Sequence, residues 1–188
     1  MLNSDLSPPA ERAQGTQSTP GTRLRDAAML LPPLVVCVIV DQVTKQWATA
    51  TLKHGETLSF WGDRFRLQYA MNSGGFLSLG SEFSESARFA LFIGFNLVLM
   101  CGLGWFLYAA PRARRGFQFG VGLLLAGGIG NLIDRLTQNG QVIDFMNLGI
   151  GSLRTGIFNV ADIAIVAGAV LLAGCSWTAG GTRTDIAR

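Results

Sequence analysis

Residues 89–136 read FALFIGFNLVLMCGLGWFLYAAPRARRGFQFGVGLLLAGGIGNLIDRL, two apolar runs joined by Pro111-Arg112-Ala113-Arg114-Arg115-Gly116. Each run is close to the roughly 20 residues that a helix needs to cross the hydrocarbon of a bilayer at about 1.5 Å per residue. The three arginines of the six-residue link match the excess of basic charge found in short cytoplasmic loops. This stretch therefore predicts a pair of membrane-spanning helices whose connection lies on the inner side.

Two further apolar segments flank that pair, at about 27–50 and about 157–177. Together with the runs at about 89–110 and 117–136 they predict an all-α membrane protein, a bundle of four transmembrane helices with both termini cytoplasmic. Basic residues divide almost evenly between the two sides, eight inside and seven outside, so the orientation rests on the short arginine link. Pro32 and Pro33 suit the first turn of a helix, where amides lack intrahelical acceptors. On the outer side, residues 57–69 alternate apolar and polar side chains, with Phe60, Trp61, Phe65, Leu67 and Tyr69 among them, which predicts short strands in a small extracytoplasmic lid. Residues 1–24, rich in Pro, Ser, Thr, Gln and Gly, read as a disordered cytoplasmic tail and not as a cleavable signal peptide. The membrane domain then covers 25–178, and 179–188 form a second cytoplasmic tail.

Composition agrees with lipid as the solvent. Of 188 residues only 14% are charged and 49% are hydrophobic, against roughly 25% charged in ordinary soluble domains. The basic residues are scattered, so the net charge of +3 does not point to nucleic acid. Cys37, Cys101 and Cys175 lie singly in apolar runs, without the spacing of a disulfide framework or a zinc site. His54, the only histidine, sits in a polar stretch, which disfavours multi-histidine metal centres and a Ser-His-Asp triad. No metal or other cofactor is expected. The glycines between Gly120 and Gly130 follow no strand and precede no Gly-Lys-Ser/Thr, so they read as close helix packing and not as a phosphate loop.

Ionisable groups inside spans are costly and mark candidate sites. Asp41 and Lys45 end the first span, Asp134 and Arg135 end the third, Asp144 follows in the next loop, and Asp162 opens the fourth. In an up-down bundle all of these meet at one face. Asp41 and Lys45 are spaced as an i,i+4 ion pair. Asp134 and Arg135 point to different faces, so each needs a partner on another element, which makes a structural network the expected role of Asp134. Asp144 and Asp162 have no cation at helical spacing. Two carboxylates held close in a partly desolvated site cannot both be ionised cheaply, and such a pair can both deprotonate a water and protonate a leaving amine. On spacing alone, two separate caps or ion pairs remain the alternative.

The ordered blocks Asp41-x-x-Thr44-Lys45, Asn72-x-Gly74-x-Phe76, Gly127-Gly128-Ile129-Gly130-Asn131-Leu132-Ile133-Asp134-Arg135, Val142-Ile143-Asp144-Phe145 and Phe158-Asn159-Val160-Ala161-Asp162 resemble those of the lipoprotein signal peptidases, also called signal peptidase II. The resemblance extends over about residues 27–177. It implies a monomeric aspartic peptidase of the bacterial inner membrane that removes the signal peptide of diacylglyceryl-modified prolipoproteins before the lipidated cysteine, with its active site on the extracytoplasmic side. By position, Asp144 and Asp162 match the catalytic dyad. Asp41, Asn72, Asn131, Arg135 and Asn159 match polar residues of the site, while Lys45, Gly127 and Asp134 lie in matching blocks as site-supporting positions. Met71, Gly75 and Ile163 depart from the usual family pattern, but both dyad carboxylates are present. The rival readings are an inactive or specialised substrate-binding paralogue and a small membrane transporter subunit that uses buried acids as a proton relay.

Overall fold

The computed structural model describes residues 31–55, 57–74, 83–109 and 115–180. The expected N-terminal tail, the C-terminal one beyond Gly180, the start of the first span, most of the arginine link, and the motif residues Gly75 and Phe76 lie outside the described residues, while 179 and 180 continue the last helix.

Among the described residues, four long helices and the strands of a small antiparallel sheet follow in the order α1 (Leu31–Leu52), β1 (Leu58–Phe60), β2 (Phe65–Asn72), α2 (Glu85–Ala109), α3 (Arg115–Thr137), β3 (Val142–Ile150), β4 (Leu153–Arg154) and α4 (Val160–Gly180). The helix positions agree with the sequence expectation to within a few residues. At the fourth segment Ile157 and Phe158 precede the helix, and Phe158 bridges to Met146 of β3. Two helical segments, Phe89–Phe106 and Arg115–Thr137, are long and apolar enough to cross a membrane, and α4 contains the shorter apolar stretch Val160–Cys175.

α1 is amphipathic in the reverse sense of a soluble helix. Asp41, Lys45, Ala48 and Leu52, spaced by three and four residues, are buried. Val35, Val36, Ile39, Val40, Val43 and Trp47 are exposed. Asp41 and Lys45 thus face protein, and most of the exposed surface of α1 is apolar.

α3 is the centre of the helix packing, in contact with α1, α2 and α4, whereas α2 touches α3 alone among the helices. The sequence of α3 allows this because its glycines let backbones approach closely. A Cβ at Gly127 would overlap Ala161 O and the Ile165 side chain, and one at Gly120 would lie 3.1 Å from Gly168 O. The glycine run is therefore packing surface.

The four strands pair antiparallel in the order β1-β2-β3-β4. The lid expected at residues 57–69 is found as β1 and β2, but it is only half of the sheet. Asp144, expected in a loop, lies on β3: Val142, Ile143 and Phe145 are buried, and Phe145 joins Ala48 and Leu52 in a core against which Leu67, Tyr69, Met146 and Val160 pack. An apolar, β-branched run that is buried on both faces favours a strand over a loop. The register Leu67↔Met146 is followed by Ala70↔Asp144, which sets three steps on β2 against two on β3, so β2 carries a one-residue bulge. At the far edge Asp63 accepts from Ser59, Arg66 and Arg154, which ties the β1-β2 hairpin to β4. The Arg66 hydrogen bonds hold its carboxyl well below the usual carboxylate range.

Candidate active site

The polar residues converge where the C-terminal halves of α1 and α3, the N-terminus of α4 and the paired ends of β2 and β3 meet. Asn159 is the N-cap of α4. Its Oδ1 accepts the Asp162 N–H at 2.9 Å, and Asp162 Oδ2 accepts the Asn159 N–H at 3.2 Å, a reciprocal capping box that fixes the Asp162 rotamer. The Asn159 side-chain amide donates to Asp144 Oδ1 at 2.6 Å, to Asn131 Oδ1 at 3.1 Å and to Ile143 O at 3.3 Å. Asn131 Nδ2 donates to Asp162 Oδ1 at 2.9 Å. Asn159 thus touches both carboxylates, and Asn131 joins it to Asp162 by a second route.

Asn72 reaches Asp144 from the neighbouring strand, donating to Oδ2 at 2.9 Å. It pairs in register with Val142, two residues from Asp144 and on the same face of β3, which is the diagonal contact of an antiparallel ladder. Gly74 N–H donates to Asn72 Oδ1 at 3.0 Å and orients the amide. Asp144 is only 2% exposed. Burial, with the nearby Asp162 charge adding to it, pushes its carboxyl up to about 6 despite the Asn72 and Asn159 hydrogen bonds and the Lys45 charge. Neither Asp144 nor Asp162 belongs to an ion pair formed among the described residues.

A second acidic group lies beside the first. Lys45 Nζ is 2.9 Å from Asp41 Oδ2 and 2.9 Å from Asp134 Oδ2, and donates to Asn131 Oδ1 at 3.1 Å. The i,i+4 pair of α1 is thus present, but as part of a buried network and not as a surface anchor. Asp134 has the structural partner expected for it. Arg135 points elsewhere, with its guanidinium 5.4 Å from the Phe92 ring centre and Nη1 3.4 Å from Asn131 O. Its Nε is buried without a hydrogen-bond partner among the described residues.

A family model described as signal peptidase (SPase) II matches residues 34–178. The chain belongs to the signal peptidase II family. Similar curated proteins include the lipoprotein signal peptidase of Leifsonia xyli subsp. xyli, 36% identical over 147 residues, a match covering 74% of this chain and 63% of that protein. The lipoprotein signal peptidase of Desulforapulum autotrophicum is 34% identical over 138 residues, covering 72% of this chain and 83% of that protein. That of Lactococcus lactis subsp. lactis is 35% identical over 139 residues, covering 74% and 87%. Two solved structures described as bacterial membrane enzymes share the fold. One has a TM-score of 0.67 at 24% identity and covers 90% of this chain and 95% of its own. The other has a TM-score of 0.65 at 26% identity and covers 90% and 97%.

All ten site residues expected from the sequence of this signal peptidase II family member lie at or beside this one junction. Gly127 acts by having no side chain, which lets α3 reach the first turn of α4 at Ala161. Sequence reasoning missed Gln42, whose Nε2 donates to Asp41 Oδ2, Gly130 O and Asp134 Oδ1 at 3.1 to 3.2 Å. The signal for it was a glutamine inside an apolar span next to Asp41. Also unforeseen were the backbone amides of Ala161 and Ile143, since amide partners leave no trace in side-chain identity. A cavity of about 530 Å³ adjoins the site, with Phe92, Phe95, Leu99, Met100 and Ile165 among its apolar walls and Asn131 and Arg135 also lining it.

Proposed function

We propose that this membrane peptidase is of the aspartic type, that it removes the signal peptide from diacylglyceryl-modified prolipoproteins before the lipidated cysteine, and that Asp144 and Asp162 are its catalytic dyad. The observation that carries the reading is the pair of carboxylates bound to one asparagine, Asn159, with hydrogen-bond donors but no ion-pair partner on either among the described residues. Charge on one carboxylate raises the proton affinity of the other, and the upward displacement of Asp144 fits a pair that shares a proton. The ionised member takes a proton from a bound water as the water attacks the scissile carbonyl. The protonated member stabilises the developing oxyanion and then gives its proton to the leaving nitrogen. Asn72, Asn131 and Asn159 hold the carboxylates in place. Arg135, with an unengaged donor at the cavity wall, binds a substrate carbonyl.

The four helices are the four membrane spans of one domain, residues 25–178, flanked by two cytoplasmic tails. The outward-facing valines and Ile39 of α1 and the exposed apolar residues of α2 and α4 support this. The arginine link then lies in the cytoplasm with both termini, and the dyad faces the extracytoplasmic side of the inner membrane. The enzyme acts as a monomer. Substrate acyl chains stay in the bilayer, where each buried methylene contributes about 0.8 kcal/mol to localisation, and the apolar cavity takes part of the lipid-borne substrate.

The test is cleavage of a diacylglyceryl-modified prolipoprotein by purified protein in detergent, with Asp144→Asn and Asp162→Asn alongside. Cleavage by the wild type and its loss in both folded variants is the expected result. An inert but folded wild type points to a binding paralogue or a transporter subunit, and cleavage that survives either substitution overturns the dyad.

A further inference from the structure

Lys45 is 1% exposed, and each of its three N–H donors has a different acceptor: Asp41, Asp134 and Asn131. Each acceptor passes the contact on. Asp41 Oδ1 accepts the Ala161 N–H at 2.8 Å, and Ala161 is the residue before Asp162. Asp134 Oδ2 accepts the Ile143 N–H at 3.0 Å, and Ile143 is the residue before Asp144. Asn131, its Oδ1 held by Lys45, turns its Nδ2 to Asp162. An ammonium has no acceptor, so the atom of Asn131 that faces it must be the oxygen, which leaves the amide nitrogen for the carboxylate.

We propose that Lys45 is a positioning residue for the peptidase reaction, its single ammonium setting the place of both dyad carboxylates through Asp41, Asp134 and Asn131. The proposal rests on the assignment of Asp144 and Asp162 as the reacting pair. A simple anchor at the end of a span needs one partner, yet this lysine joins α1 to α3 and, through its two carboxylates, to the backbone immediately before each catalytic residue. The surrounding chain is shaped to admit the cluster. Gly130 has no Cβ where one would lie 2.5 Å from Asp41 Oδ2, and Gln42 supplies further donors to the two carboxylates. Two carboxylates against one ammonium is a costly thing to bury if packing were its only use.

The experiment is steady-state cleavage of a diacylglyceryl-modified prolipoprotein by the full chain in detergent across pH, for wild type, Asp144→Asn, Asp162→Asn, Lys45→Met and the double variant Lys45→Met/Asp134→Asn. The double variant keeps the net charge of the cluster, which guards against misfolding by an unpaired acid. The charged groups acting on Asp144 and Asp162 are Lys45 from α1, Arg135 from α3 and each other. With Lys45 gone, the folded variants are expected to lose about 10²-fold in kcat, as small misplacements of catalytic groups do. KM is expected to stay near wild type. The limb of the pH profile that reports Asp144 is expected to move to higher pH, because the Lys45 charge favours the ionised form. A folded Lys45 variant with wild-type kcat and an unmoved limb overturns the proposal, and so does failure of both variants to fold, which would make the lysine structural only. Failure of the dyad assignment looks different: an inert wild type, or cleavage by an Asp144→Asn or Asp162→Asn variant, removes the proposal together with its premise.

Discussion

Two groups of buried aspartates share one end of the helices, and their surroundings differ. Asp41 and Asp134 each touch the ammonium of Lys45 and accept backbone and glutamine donors, so both carboxylates lean on one shared cation. Among the described residues, Asp144 and Asp162 receive only neutral amide donors, from Asn72, Asn131 and Asn159. The same side chain thus serves two ends. The first pair shares a cation with neighbouring elements, whereas the second is held by amides, the setting that the proposed dyad requires.

That contrast can be broken at its strongest point by neutralising the amide-bound pair. Asp144→Asn or Asp162→Asn should lower prolipoprotein cleavage by about 10³-fold or more while the protein stays folded, as checked by turnover and thermal unfolding in detergent. Next in size is Lys45→Met, which leaves two buried carboxylates without their cation and should cost about 3–5 kcal/mol of stability, read from the same unfolding transition.

The stability of the Asp144→Asn variant sharpens the comparison because it should move in the opposite direction. Asp144 has a folded-state pKa of about 6, above its ordinary value of 3.8. The folded state therefore holds the proton more tightly than the unfolded one, so stability is fully present below pH 4 and falls as pH rises through 6. The difference of about 2 units corresponds to about 3 kcal/mol. Asp144→Asn should abolish this slope, leaving the variant more stable than wild type at pH 8 and nearly level with it at pH 4. The smallest effect is expected from Asn72→Ala. Loss of the hydrogen bond that favours the ionised form should move the Asp144 limb of the activity profile to higher pH.

Much of this arrangement was legible in the chain. The four helices follow from length and hydropathy, which depend on local composition alone, and the Asp41–Lys45 contact follows from a four-residue spacing. The pairing of Lys45 with Asp134 does not, since they are far apart in sequence and meet only because α3 packs against α1. The sequence places Asp144 in the loop between the third and fourth apolar runs, and nothing in Val142-Ile143-Asp144-Phe145 alternates as a half-exposed strand does. Its strand character comes from burial on both faces, a tertiary property. The need for Asp134 to find a partner on another element was legible, while the Ile143 amide that it also holds was not.

The bulge in β2 interrupts the alternation of the strand at one point. Leu67 and Ala70 stand three apart yet pair with Met146 and Asp144, which are two apart and share a face, so the extra residue is absorbed there and Asn72 stays on the face of Asp144. Deleting that residue leaves two steps against two, a regular ladder that keeps the contact. A one-residue change beyond the bulge, between Ala70 and Asn72, meets no such slack and turns Asn72 to the other face. The chain thus tolerates a change of length only where its alternation is already broken.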